Sequence, residues 1–377
     1  MKEKILVTGG AGFIGSALVL KLIDKNYEVR VIDNLLPQVH GNSLNSYSFN
    51  SIKNKVKIIK EDIRNYNEVK KAICKQDIII HLASETGTGQ SMTQIERYTN
   101  ANINGIAVLF DVLINEKQFV KKMILASSRA IYGEGKYECE THGIFYPGAR
   151  KNEDMLKGDF EIKCPLCLKK GSPLPTDEES KLEPTSIYGI TKHTQEEIFQ
   201  NMGKYLDISC ISLRFQNVYG QGQSLSNPYT GILSIFTNLM KMNKEINVFE
   251  DGNESRDFVF IEDVVESIIM SVEHKNPKTD IFNVGSGTRT KILDLANILK
   301  KELTSRSNIL VSGNYRIGDI RHNLADIKKI KSEMGFCPKI SLHTGLQRFI
   351  EWAYREKYEE NNFSKTLVEM KKVGMLK

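Results

Sequence analysis

The chain has 377 residues, 40% hydrophobic and 26% charged, enough to bury a sizeable core and build two lobes rather than a short binding module. Its formal charge of +6 is modest for that length and spread along the chain, which gives nucleic-acid binding little support. No run of about 18 apolar residues occurs and Met1-Lys2-Glu3-Lys4 leads directly into an apolar run, so a soluble, cytoplasmic protein without membrane contact is expected.

Ile5-Leu6-Val7 reads as a strand. It is followed by the glycine loop Thr8-Gly9-Gly10-Ala11-Gly12-Phe13-Ile14-Gly15, an amphipathic pattern over residues 16–25, and a second strand over residues 29–32 that ends at Asp33. Gly10, Gly12 and Gly15 have GxGxxG spacing, and Gly9, Gly12 and Gly15 the wider GxxGxxG spacing. A pyrophosphate must come close to backbone N–H groups at a helix start, where side chains would block it. Asp33 falls about 20 residues on, where a carboxylate accepts from a ribose 2′-OH and disfavours a 2′-phosphate. The unit points to a dinucleotide, NAD in preference to NADP.

Strands over residues 56–59, 78–82, 123–126 and 208–215 alternate with helical patterns such as 67–75 and 102–115, the signature of an α/β chain with a doubly wound parallel sheet. Asp62, after the third strand, suits an adenine contact or a helix cap. Ser127-Ser128 closes the strand over 123–126 at the carboxyl edge of the sheet. Ser127 suits a local turn, Ser128 a position facing a nicotinamide.

Between Tyr132 and Tyr188 a long interval carries Cys139-x-x-His142 and Cys164-Pro165-Leu166-Cys167. Two such pairs can close a tetrahedral Cys₃His zinc site and order a loop too polar to form its own core; the alternative is reduced surface thiols beside an unrelated histidine. Cys74, Cys210 and Cys337 lie in ordinary strand or loop contexts, so the six cysteines do not form a secreted disulfide framework. Tyr188-Gly189-Ile190-Thr191-Lys192 sets a phenol and an ammonium four residues apart, about 5–6 Å on one helical face. A neighbouring cation favours the phenolate, which makes Tyr188 a usable general base.

TGGAGFIG at 8–15, Asp62-Ile63, His81-Leu82-Ala83, SSRAIYG at 127–133, YGITK at 188–192, LRFQNVYG at 213–220, RDFV at 256–259 and Gly318-Asp319 run in order over nearly the whole length. In these motifs the chain resembles the extended short-chain dehydrogenase/reductase family, and within it the nucleotide-sugar epimerases. The resemblance implies a Rossmann domain for NAD from residues 1–217 and 255–280, with a cysteine-rich insertion at 134–181. It implies a smaller α/β lobe for a nucleotide-diphosphate sugar from residues 218–254 and 281–377, often in a homodimer built through a four-helix bundle.

Cofactor contacts are implied at Gly9, Gly12, Phe13, Ile14, Gly15, Asp33, Asn34, Asp62, Ile63, Leu82 and Ala83, with Asn102 near the cofactor or serving as a cap. Ser128 resembles the serine that bonds the reacting sugar hydroxyl, Tyr188 the base, and Lys192 its ribose-binding neighbour. Asn217, Arg256 and Arg316 resemble diphosphate contacts, a task suited to the rigid arginine fork, although Arg316 also fits a solvated surface. Gln90 and Ser91 suit sugar contacts or a plain loop.

The chemistry implied is transient oxidation at C4 of the sugar and return of the hydride to the opposite face. Arg129-Ala130, with Arg129 a substrate contact, stands where a 4,6-dehydratase commonly has Asp-Glu, which disfavours dehydration. The insertion and the loops at 33–41, 85–92 and 127–135 resemble a branch of dTDP-deoxysugar 4-epimerases. A UDP-hexose or UDP-N-acetylhexosamine 4-epimerase and a catalytically silent NAD-binding scaffold are the alternatives.

Overall fold

The computed structural model describes residues 3–377 apart from 226, 228, 230, 276–278 and 357–362. The apolar runs become β1 (Lys4–Thr8), β2 (Glu28–Asp33), β3 (Lys57–Lys60), β4 (Ile78–His81), β5 (Lys122–Ser128), β6 (Ser209–Phe215) and β7 (Asp280–Val284). They form one sheet in the order β7-β6-β5-β4-β1-β2-β3, with every neighbouring pair parallel. A parallel sheet is covered on both faces, which is why Ile78-Ile79-Ile80 are all buried rather than alternating with polar residues.

Helices α1 (Phe13–Asp24), α2 (Tyr66–Ile73), α3 (Gly105–Asn115), α4 (Ile187–Leu206) and α5 (Ile261–Glu273) supply the two covers. Successive residues of a strand point to opposite faces, and β1 shows the division. Ile5 and Val7 join the core with Leu18 and Val19 of α1 and Val264 and Ile268 of α5. Leu6 joins the opposite core with Val69, Leu109 and Phe199. Helix α4 is held to β6 by a buried ion pair in which Arg214 donates to Glu196 at 2.6 Å, while its guanidinium lies 4.9 Å from the centre of the Tyr132 ring.

Two elements differ from the sequence pattern. The helix expected over 102–115 begins with a π-helical turn at Asn100–Asn104 before α3, because the Asn102 side chain is drawn inward to partners on other elements. Helix α2 stops at Ile73 rather than 75, where Lys75 turns left-handed with φ +58°.

The remaining segments build smaller sheets. Asn217–Tyr219, Ser255–Phe260 and Arg289–Lys291 form one, Ile246–Val248 pairs with Ile309–Val311, and Tyr137–Cys139 sits between Gly143–Phe145 and Ser172–Pro173. Among the described residues no helix is long and apolar enough to cross a membrane. Strand order reverses between β1 and β4, so the crevice at their carboxyl ends is where the fold leaves room for a ligand.

Candidate active site

A cavity of about 580 Å³ opens at that crevice and runs toward the three-stranded sheet. Gly9, Gly12, Phe13, Ile14 and Gly15 line its near end. Gly9 has φ +68°, and a Cβ there would stand 2.7–2.9 Å from the backbone of Leu82 and Ala83, so the loop reaches β4 only as glycine. A Cβ on Gly15 would meet the Gly9 carbonyl oxygen at 2.3 Å. Gly12 caps α1 without any side-chain hydrogen bond, which leaves the helix's first N–H groups turned to the cavity. A pyrophosphate fits that end.

Asp33 accepts from the amides of Ala11 and Leu35, both at 2.9 Å. Buried His40 stands 3.8 Å from its Oδ1, and burial lowers the imidazole pKa against the pull of that carboxylate. Asn34 donates to Asp62 Oδ2 at 3.2 Å. Arg64 grips the same carboxylate at 2.7 and 2.8 Å and draws its pKa down to about 2. Asp33, Asn34, His40 and Asp62 line the wall beside the glycine loop with Ile63, Leu82 and Ala83.

Ser128, Arg129, Tyr188 and Lys192 form the middle of the cavity. The Ser186 hydroxyl accepts from the Gly189 amide at 3.1 Å and so starts α4 where Tyr188 faces β5. Burial raises the Tyr188 phenol, and the nearby Ser128 hydroxyl and Arg129 guanidinium pull it back. Lys192 is turned otherwise than its spacing suggested: Nζ donates to the Ala126 carbonyl oxygen and to Gln195 Oε1, each at 2.5 Å, and burial brings its pKa down to about 7. The charge acting on the phenol is therefore that of Arg129. It is Ser128, not Ser127, that caps the following turn, accepting from the Ala130 amide at 3.2 Å. The Ser127 hydroxyl is buried without a hydrogen bond at the cavity wall.

Asn217, Arg256 and Arg316 line the far end. Arg256 donates to the carbonyls of Ser255, Ile320 and Arg321 at 2.8–3.1 Å, and Arg316 stacks over Phe249 at 4.8 Å. The Asn217 Oδ1 is buried without a partner. Burial and the charge of Arg256 lower the Arg129 pKa to about 10. Guanidiniums held this close in a shaded cavity favour an anion between them.

Three sequence candidates lie behind the cavity wall rather than on it. Asn102 is fully buried and bonds the Glu85 amide at 2.8 Å and Thr191 Oγ1 at 3.0 Å, tying the loop after β4 to α4. Gln90 bonds Gln38 and Gln94. Ser91 accepts from the Tyr188 amide at 3.0 Å. Cys139, His142, Cys164 and Cys167 come together away from the cavity, their ligand atoms all within 4.8 Å of one another. Sequence reasoning missed Gln195, which holds Lys192, and Glu254, a cavity-lining carboxylate. Glu254 stands just ahead of the strand Ser255–Phe260, two residues before Arg256, and an acid that close to a diphosphate candidate was the signal that could have found it.

The family model for GDP-mannose 4,6 dehydratase matches residues 6–148, and that for the NAD dependent epimerase/dehydratase family matches residues 168–285. The chain is 35% identical to dTDP-L-rhamnose 4-epimerase of Burkholderia thailandensis over 95% of its own length and 97% of that protein. UDP-glucose 4-epimerase from Thermotoga maritima, solved with UDP-glucose, superposes with a TM-score of 0.75 at 28% identity, over 93% of this chain and 99% of that one. A tyrosine-to-phenylalanine variant of UDP-glucuronic acid 4-epimerase from Bacillus cereus, solved with UDP-4-deoxy-4-fluoro-glucuronic acid and NAD, superposes with a TM-score of 0.74 at 25% identity, over 93% and 99%.

Proposed function

The chain belongs to the NAD-dependent epimerase/dehydratase family, and from that premise we propose that it is a nucleotide-sugar 4-epimerase with NAD as its cofactor. The observation that carries the reading is the placement of Ser128, Arg129 and Tyr188 midway between an uncapped helix N-terminus and a second cluster of arginines, in one cavity. Gly9, Gly12 and the start of α1 take the pyrophosphate, and Asp33, Asn34 and Asp62 the adenosine side. Arg316, from the lobe of residues 218–254 and 281–377, takes the sugar's diphosphate together with Asn217 and Arg256, which stand at the borders of the Rossmann segments 1–217 and 255–280.

Ser128 hydrogen-bonds the C4 hydroxyl, and Tyr188 removes its proton as general base. NAD, when bound, supplies a reversible acceptor for the C4 hydride, so that C4 becomes a ketone and is reduced again on the opposite face. Arg129 offsets part of the burial that raises the phenol, the positive nicotinamide of bound NAD would add to that pull, and Lys192 meets the cofactor ribose. Arg129-Ala130 offers no acid–base pair for eliminating water, which favours epimerisation over dehydration.

The B. thailandensis relative favours dTDP-L-rhamnose as substrate. UDP-hexoses form a second reading, supported by the T. maritima neighbour. Purified protein incubated with dTDP-L-rhamnose, UDP-glucose and UDP-N-acetylglucosamine, without added cofactor, is expected to yield the C4 epimer of one of them by proton NMR. Bound NAD is expected in the denatured supernatant. Absence of any epimer, or release of a keto sugar as end product, overturns the proposal. A homodimer belongs to the same reading, with light scattering expected to give twice the chain mass.

A further inference from the structure

We infer that Cys139, His142, Cys164 and Cys167 bind one structural Zn(II) ion, and that this knuckle fastens the segment 134–181 against the diphosphate end of the cavity. The metal assignment stands apart from the proposed reaction; only its effect on substrate binding rests on that reading.

The ligand atoms are spaced for an ion. Cys139 Sγ lies 3.6 Å from Cys167 Sγ and 3.6 Å from His142 Nδ1, and Cys164 Sγ lies 3.4 Å from the same nitrogen. A tetrahedral zinc with ordinary bond lengths holds two sulfurs roughly 3.8 Å apart, and a sulfur and a nitrogen roughly 3.5 Å apart. A disulfide needs its sulfurs at about 2.05 Å. Both sulfur contacts of the histidine fall on Nδ1, which identifies the ligating nitrogen.

The chain makes this spacing with two tight turns. In the first, Tyr137–Cys139 pairs with Gly143–Phe145, Cys139 opposite Gly143, whose φ of +71° lets the strand turn back. In the second, the Cys164 amide donates to the Lys169 carbonyl at 2.8 Å and the Leu168 amide to the Cys164 carbonyl at 2.9 Å. Backbone N–H groups of Thr141 and His142 point at the Cys139 sulfur, those of Leu166 and Cys167 at Cys164, and that of Lys169 at Cys167. On binding, three S–H bonds give way to three S–Zn bonds, the protons leave to solvent, and the site carries a net charge of −1.

The segment has reason to need a cross-link. Its apolar contacts among the described residues are few, Met155 and Phe160 against Tyr315, Tyr137 against Phe145, and buried Ile162, while Leu156, Leu166 and Leu168 stay more than 60% exposed. So small a core holds two turns poorly without a metal or disulfide. What the cross-link secures is ionic. Arg150 meets Glu250 at 2.7 Å and donates to the Asp319 carbonyl at 2.9 Å, and Glu161 meets the fully buried Arg321 at 2.7 Å. Glu250 and Asp319 line the cavity beside Arg256 and Arg316.

Full-length protein purified without chelator is expected to contain about one zinc per chain by plasma mass spectrometry. Cobalt substitution is expected to give tetrahedral ligand-field bands with thiolate charge transfer. A Cys164→Ser/Cys167→Ser variant is expected to lose the metal. Its KM for the nucleotide sugar should rise about tenfold, the worth of one well-placed contact to a charge, with bound NAD unchanged. Should that variant fail to fold, mercurial titration of the wild type serves instead, with one zinc released as three thiols react beyond the exposed Cys74 and Cys337. Metal-free wild type in which Cys139, Cys164 and Cys167 react at once along with the exposed Cys74 and Cys337, or a Cys139–Cys167 disulfide in the mass spectrum, overturns the zinc site. An unchanged KM in a folded, zinc-free variant overturns the fastening role.

Discussion

Lys192 donates from Nζ to Gln195 Oε1 at 2.5 Å, and the nitrogen of that same amide meets His81 Nε2 at 3.2 Å and the Asn102 carbonyl at 3.1 Å. One fully buried glutamine thus ties the ammonium of α4 to β4 and to the π-helical turn before α3. Gln195→Leu keeps the volume and removes the donors and acceptor. It is expected to cost about 1–3 kcal/mol of stability in urea denaturation, since the groups it served stay buried. It should also lower kcat, because Lys192 is left with the Ala126 carbonyl alone. Full kcat in a destabilised variant would assign Gln195 to stability only.

Tyr188→Phe removes the oxygen that the proposed reaction uses and little else. The ring packs edge-on against Tyr98, with centroids 6.4 Å apart, and the Tyr188 amide keeps its bond to Ser91. The expected loss in kcat is about 10²–10⁴-fold, the usual share of a general base, with bound NAD and melting temperature close to wild type. A variant with near-normal kcat would move the proton transfer to another group.

The parts of this site that repeat with a period were legible in the chain. The apolar run Ile5-Leu6-Val7 gave a strand, which the structure buries on both faces, the glycine spacing gave the loop at the start of α1, and the spacing of Cys139, His142, Cys164 and Cys167 gave the four-ligand cluster. Features set by a distant partner were not. The spacing that puts Lys192 on the Tyr188 face of α4 says nothing of the Ala126 carbonyl, 66 positions away, that turns Nζ aside. Nor does it show Arg129 supplying the charge. Gln90 and Ser91, on the loop after β4, suit sugar contacts or a plain loop equally by sequence; their bonds to Gln38, Gln94 and Tyr188, set by distant partners, turn both behind the wall.

Asp33 spends both carboxylate oxygens on backbone amides, those of Ala11 and Leu35, so it shapes the loop that it also serves. Asn in its place offers one acceptor and sets an NH₂ group against the second amide. Asp33→Asn is expected to lower the NAD retained per chain about tenfold or more without creating binding of NADP, read from the absorbance of the denatured supernatant. Unchanged NAD content would remove Asp33 from the cofactor site.

Glu254 lines the cavity, and burial pushes its pKa up to about 7, opposed by the charges of Arg256 and Arg321 and reinforced by Glu250. Below about pH 7 it is neutral; above, it adds a negative charge to the cavity that is to hold a diphosphate. KM for the nucleotide sugar is therefore expected to rise by about fivefold between pH 6 and 8.5, on the order of 1 kcal/mol of repulsion. Glu254→Gln should flatten that rise. Glu134, also pushed up to about 7 by burial, and Lys192 titrate in the same range and are shared by both proteins, so the difference between the two profiles belongs to Glu254.

Glu196 answers the buried Arg214 and is also the charge that raises the Lys192 pKa against burial. Glu196→Gln leaves the guanidinium with Tyr132 Oη at 2.7 Å and the Glu178 carbonyl at 3.0 Å but with no counter-ion at 2.6 Å. Breaking a buried pair from one side is expected to cost about 3–5 kcal/mol. The pH dependence has a definite sign. The folded-state pKa of Lys192 is about 7, below its ordinary 10.5, so wild-type stability from this group rises with pH between those values. Without Glu196 that folded-state pKa falls further. Above about pH 7 Lys192 is neutral in both folded proteins and the added cost is constant. Below it, the wild type takes up a proton that the variant refuses, and the gap in stability widens as pH falls. Urea denaturation at pH 5.5, 7 and 8.5 is expected to show the same difference at the upper two values and a larger one at the lowest; a gap that narrows at pH 5.5 would separate Glu196 from Lys192.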